Sequence, residues 1–86
     1  QASNVVSQKD AGIFIAVTAA NDVYIDKRLV DIERVEATIE HLLLEQPDAS
    51  LVIQADEHAY NGTVVKVMDA AKGAGVKNLA LAAEKP

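Results

Sequence analysis

The chain has no cysteine and no cluster of basic residues, and each absence excludes a class of function. Without cysteine there are no disulfides, no thiol catalysis and no cysteine-based zinc sites. Eight lysines and arginines stand against thirteen acidic residues, which gives a net charge of −5, and the longest basic run is Lys27–Arg28. Because phosphate binding requires clustered cations, nucleic acid is not expected as a partner.

Long apolar runs are also missing. The longest candidate, Ala11–Ala20, stops after ten residues and contains Gly12 and Thr18, whereas a membrane-spanning helix needs about 20 apolar residues. The first ten residues are mostly polar, with one valine pair, and carry no signal-peptide pattern. Gln1 is not a natural start, so we expect the chain to be a fragment of a longer protein, with residues 1–11 as a flexible linker.

Half of the 86 residues are apolar, which is enough for one domain with one core. Apolar and β-branched segments predict five strands. These are Gly12–Thr18, Val23–Ile25, Leu29–Val30, Leu51–Ala55 and Leu79–Ala83. The first strand is apolar on both faces, so it is either central in the sheet or covered from both sides.

Two helices are predicted between these strands. The first follows Asp31, a good N-cap residue, and ends at Gln46, because the residue before a proline disfavours helical geometry. Its apolar stripe has a period of 3.6 residues and comprises Ile32, Val35, Ile39, Leu42 and Leu43.

The second helix is predicted between Tyr60 and Gly75, with Gly75 as a left-handed C-terminal cap. Asn61–Gly62 between two apolar runs is also typical of a β-hairpin, which is the alternative for this stretch. The spacing of the apolar residues and the helix-favouring residues after Met68 support the helix. The element order predicts an α+β fold, a small mixed β-sheet with two helices packed on one face, in which Leu51–Ala55 and Leu79–Ala83 are parallel neighbours or near-neighbours.

Residues suited to catalysis or metal binding are few and scattered. His58 could bind a metal with Asp56 and Glu57, but adjacent loop residues do not form a three-ligand site without further ligands. His41 has no partner histidine at a metal-binding spacing. We therefore expect both histidines to face solvent and predict no metal site.

The serines and the glycine pair give no catalytic or cofactor site either. Ser3 and Ser7 lie in the predicted linker, and Ser50 lacks the turn that exposes a nucleophile. Gly73 and Gly75 follow a helix, whereas phosphate-binding loops precede one. No enzyme activity and no cofactor are predicted.

Asp56 directly follows a strand that we expect to be buried. Side chains at the carboxyl end of a sheet often contact ligands, so Asp56 is a candidate for a binding site. The simpler interpretation is that its carboxylate caps the loop or the next helix.

The succession of segments resembles the periplasmic domain of the ExbD/TolR family. The resemblance covers Gly12 to Ala83, most of the predicted domain at residues 12–86. It depends on Leu51–Asp56, Tyr60, Val64–Asp69 and Ala74–Val76, followed by an apolar strand. Within these segments, Val67–Asp69 favours an ExbD-like over a TolR-like protein.

This resemblance implies a function that composition does not. Family members are anchored in the bacterial inner membrane by one N-terminal helix, which is not in this chain, and that helix carries the proton-carrying aspartate. An ExbD-like protein would associate with ExbB through that helix. It would contact TonB in the periplasm, so that the proton motive force drives outer-membrane uptake of iron-siderophores or haem. A TolR-like protein would bind peptidoglycan instead, and a non-catalytic ligand-sensing or scaffold module is the third alternative.

Partner contact is expected at the edges of the sheet. A strand as apolar as Gly12–Thr18 or Leu79–Ala83 is an unprotected edge unless another strand pairs with it. We expect homodimerisation through the last strand, and addition of an extended partner segment to a sheet edge. The candidate interface residues are Leu79, Ala80, Leu81, Ala82, Ala83, Asp56 and Tyr60.

Overall fold

A computed structural model describes residues 12–84, with side-chain burial described as far as residue 82. The predicted linker at residues 1–11, with Ser3 and Ser7, lies outside the described residues. Five strands and two helices follow one another in the chain. They are β1 (Ile13–Val17), β2 (Val23–Ile25), β3 (Arg28–Val30), a 3₁₀ turn (Ile32–Arg34), α1 (Val35–Glu45), β4 (Ser50–Asp56), α2 (Asn61–Ala74) and β5 (Asn78–Glu84). The predicted α+β class is confirmed.

The five strands form one mixed sheet in the order β3-β2-β1-β4-β5. β1 is antiparallel to β2 and parallel to β4, and β4 is parallel to β5. The expected parallel pairing of the last two strands is therefore confirmed. β1 is the central strand, which is one of the two positions expected for a strand with two apolar faces, because the β2 hairpin returns on one side of it and the α1 crossover places β4 on the other. Gly12–Thr18 is therefore paired on both sides and is not an edge of the sheet.

Both helices cover the same face of the sheet. On β1 the side chains of Ile13, Ile15 and Val17 are buried, and the intervening ones are only half-buried. The buried residues of both helices belong to the same core cluster as this face of the sheet. They are Val35 and Ile39 of α1, and Val64, Val67 and Ala71 of α2. The other face of the sheet is not covered by either helix.

The start of α1 differs from the prediction. Asp31 occupies the N-cap position with an extended backbone, but its side chain makes no capping hydrogen bond. The helical segment instead begins with the 3₁₀ turn that precedes α1, in which the Arg34 N–H donates to the Asp31 carbonyl oxygen at 2.8 Å. The end of α1 agrees with the prediction, because the helix stops at Glu45, next to Gln46 and Pro47.

The contested stretch after β4 is a helix, and the hairpin alternative is wrong. The N-cap residue is Tyr60, and no side chain makes a capping hydrogen bond at this end. At the other end Gly75 adopts the left-handed conformation, with φ of 99°. Its N–H donates to the Lys72 carbonyl and the Val76 N–H to the Ala71 carbonyl, the pattern of a Schellman motif.

Candidate functional site: the edge along β5

The candidate site is the outer side of β5, a strand that pairs with the sheet on one side only. Its seven residues align with β4, with Leu79 opposite Leu51 and Leu81 opposite Ile53. Within residues 12–84 no strand lies on its other side. The alternate N–H and C=O groups that point away from β4 are therefore not used by the sheet.

The composition of β5 leaves this edge without the usual protection. Natural edge strands are commonly short, charged, bulged or interrupted by proline. Residues 79–83 carry neither charge nor proline. The Leu81 side chain is 52% exposed, although the sheet register places it on the helix-covered face. A second strand added here would cover it.

Asp56 is engaged in its own loop at the carboxyl end of β4. Its carboxylate accepts a hydrogen bond from the His58 backbone N–H at 2.8 Å and lies 3.3 Å from the His58 Nδ1. This is the loop-capping role that the sequence favoured. The register also pairs Asp56 with Glu84, so this residue lies at the carboxyl end of the β5 edge.

Tyr60 lies at the same end of the sheet but is held by a different loop. Its backbone N–H donates to the side-chain oxygen of Asn21 at 2.7 Å, and the residue is 71% exposed. No hydrogen bond among the described residues joins Tyr60 to β5. Sequence reasoning missed Asn21, whose positive φ of 69° is a conformation that asparagine tolerates better than most residues.

No catalytic or metal-binding arrangement is found among residues 12–84. The His58 ring lies near Asp56 and Glu57, at 3.3 and 3.8 Å, but no group of three or more potential ligands comes together in this part of the chain. Ser50 begins β4 and is half-buried. The described residues include no buried polar or charged side chain.

The sequence matches a known protein family over nearly its whole length. The family described as "Biopolymer transport protein ExbD/TolR" matches residues 1–85, nearly the whole chain. The chain belongs to the ExbD/TolR family. This is a family of transport and energy-coupling proteins, not a known enzyme family.

One relative places the chain on the ExbD side of the family. It is the "Biopolymer transport protein exbD2" of Vibrio cholerae serotype O1, and it is 82% identical over 85 residues, or 99% of this chain. The chain spans 63% of that relative's length. No helix within the described part of this ExbD-family chain has the length and apolar character needed to span a membrane.

Proposed function

We propose that the chain is the periplasmic domain of an ExbD-like subunit that works with ExbB and TonB to couple the proton motive force to outer-membrane uptake of iron-siderophores or haem. The family match and the ExbD2 relative support this assignment. In this proposal residues 12–86 form the domain, and residues 1–11 connect it to a membrane helix that binds ExbB. No residue of this chain carries the proton.

The observation that carries the proposal is the edge of β5. A seven-residue strand without charge in its central part offers main-chain hydrogen bonds to another polypeptide. We propose that residues Leu79–Ala83 pair with the same strand of a second copy. An extended TonB segment is proposed to add to a sheet edge, with Asp56 and Tyr60 next to the carboxyl end of β5.

The dimer can be tested with one charge placed on the edge. Leu81→Lys introduces an ammonium group where the partner strand would cover an apolar side chain, and we expect it to weaken dimerisation about tenfold or more. Sedimentation across a dilution series measures the dissociation constant of the dimer. Leu44→Lys is the matched control, because Leu44 is 79% exposed on α1 and away from the edge. A strict monomer at millimolar concentration, or equal effects of the two variants, would contradict the dimer.

Contact with TonB can be tested by titrating a TonB-derived periplasmic peptide into isotope-labelled protein. We expect backbone amide shifts concentrated on strand residues at a sheet edge. Shifts confined to α1 and α2 would contradict strand addition. A pull-down with peptidoglycan sacculi, run in parallel, tests the TolR-like alternative: retention on sacculi without peptide shifts would favour it over the proposal.

A further inference from the structure

A second sheet edge, along β3, lies beside a groove. The groove is formed between the β2–β3 hairpin and α1, and its volume is about 720 Å³. Its apolar lining includes Ile25, which is buried, and Val30 and Leu42, which are half-buried and pack against the core. The floor is therefore continuous with the core of the domain and accepts an apolar side chain.

Both arginines of the chain line this groove. Arg28 lies on β3 and Arg34 on the turn before α1, and both residues are exposed. Among residues 12–84, the ion pairs involve His58 and Lys77 but neither arginine. Concentrating both guanidinium groups at one place on a chain of net charge −5 indicates a site for a negatively charged group.

Two carboxylates and a histidine also line the groove, and they limit what it can bind. The carboxylate of Asp26 already accepts a hydrogen bond from the Phe14 N–H at 3.1 Å. Glu45 lies at the far end of α1 from Arg34, with His41 between them. The positive charge of the lining thus comes from the two arginines, and Asp31 and Glu33 lie just before Arg34 in the chain, so a single carboxylate fits there better than a polyanion.

The backbone of β3 offers one residue for pairing. Asp26 and Lys27 form a two-residue turn with positive φ at both positions, which closes the hairpin with Arg28 opposite Ile25. Hydrogen-bonded pairs alternate along an antiparallel ladder, so Arg28 and Val30 bond to β2 while the N–H and C=O of Leu29 point outward. An extended segment can bond to Leu29.

We propose that this groove binds an extended acidic peptide segment of a partner protein. The segment adds antiparallel to β3 through Leu29, with an acidic side chain opposite Arg28 and an apolar side chain, two positions away, opposite Val30. These two positions are the pairs without main-chain hydrogen bonds, in which side chains approach most closely. The proposed function places a TonB segment at a sheet edge without naming the edge or the chemistry of the segment. The present proposal concerns the β3 edge alone, and it stands or falls independently of the β5 dimer and of TonB as the partner.

The test uses a short capped peptide in which glutamate and valine lie two positions apart among threonines. Titrated into labelled protein, it should shift the amides of Arg28–Val30 and of the start of α1. Arg28→Gln and Arg34→Gln should each weaken binding about five- to tenfold, as expected for a charge-assisted contact at a partly exposed site. Lys72→Gln on α2 is the control with the same change of charge, and binding to it should not change.

A charge exchange distinguishes the proposed contact from general attraction between a peptide and the protein. The Arg28→Glu variant should no longer bind the glutamate peptide and should bind a peptide that has lysine at the same position. The Leu81→Lys variant should bind the glutamate peptide as the unmodified chain does, whether or not the β5 dimer exists. Absence of shifts at millimolar peptide, shifts confined to β5 or α2, or equal weakening by Lys72→Gln would overturn the proposal.

Discussion

Gly12 lies where the chain enters the central strand next to the end of α1. Its N–H donates to the Ser50 carbonyl at 3.0 Å, and its carbonyl accepts from the Gln46 side chain at 3.3 Å. A Cβ at this position would lie 2.6 Å from the Ala49 Cβ and 2.7 Å from the Gln46 side-chain oxygen. The close approach of these segments therefore depends on the missing side chain.

We expect Gly12→Ala to lower the free energy of unfolding by about 1–3 kcal/mol, the usual cost of overpacking. Urea denaturation measures it. Gly62→Ala is the matched control, because a Cβ there meets nothing within 4 Å, and alanine in a helix is favoured over glycine by about 0.5–1 kcal/mol. Equal effects of the two substitutions would show that the contact with Ala49 does not limit this site.

Gly75 is constrained by its backbone and not by its neighbours. With φ of 99° and open space around its Cα, Gly75→Ala should cost about 1–2 kcal/mol of unfolding free energy. Gly75→Asn should cost less, because asparagine visits the left-handed region more readily. Thermal and urea unfolding of the two variants measure which of them is less stable. An equal loss of unfolding free energy in both would point to a cause other than the backbone conformation.

At the scale of elements, α1 has one face in the core and one in solvent. Ile39 is fully buried, whereas Leu44, five positions later, is 79% exposed. Ile39→Ala should therefore cost about 2–5 kcal/mol of unfolding free energy, and Leu44→Ala should stay within about 0.5 kcal/mol of the unmodified chain. Chemical denaturation of both variants provides the measurement. Comparable losses would mean that Leu44 packs against something in solution.

The sequence predicts local features of these elements well. The stripe of α1, the Gly75 cap and the ends of most elements follow from periodicity and residue type within a short window. Asp31 occupies the predicted N-cap position without a side-chain capping bond, because residue type cannot distinguish a side-chain cap from a 3₁₀ turn that satisfies the same backbone groups. With a side-chain cap or with a 3₁₀ turn, the helix begins within a few residues of Asp31.

Features that depend on distant segments were beyond the sequence. The two apolar faces of β1 allowed a central position, but the choice between that and a strand covered from both sides is decided by its pairing with β4, whose residues lie almost forty positions later. The β3–α1 groove was missed for the same reason, because Arg28 and Arg34 face one cavity only once the hairpin lies over α1. Their placement on either side of one short strand is the signal that was available.

At the scale of the whole molecule, the sheet has two edges of different chemistry. Two copies that meet along the uncharged central part of β5 each carry a charge of −5, so their long-range interaction is repulsive. An acidic segment at β3 is held by attraction to arginine. The two edges would thus bind different partners at opposite sides of one sheet.

Salt should therefore act on the two contacts in opposite directions. Raising NaCl from about 0.05 to 0.5 M shortens the screening length from more than about 10 Å to a few ångströms. We expect the β5 dimer to become tighter over this range and the acidic peptide at β3 to bind more weakly. Sedimentation and peptide titration over the same salt series measure both. A change in the same direction for both would contradict the assignment of one apolar and one electrostatic edge.

The parallel arrangement of β1, β4 and β5 has a mechanical consequence. Residue 12 lies at the start of the middle strand, and residue 84 at the finish of the outermost one. Tension applied between these points would shear the strands past one another. The hydrogen bonds between β1 and β4 and between β4 and β5 would then be loaded at the same time and would not break one by one. Shearing the strands in this direction requires a larger force than pulling an edge strand away from the sheet one hydrogen bond at a time.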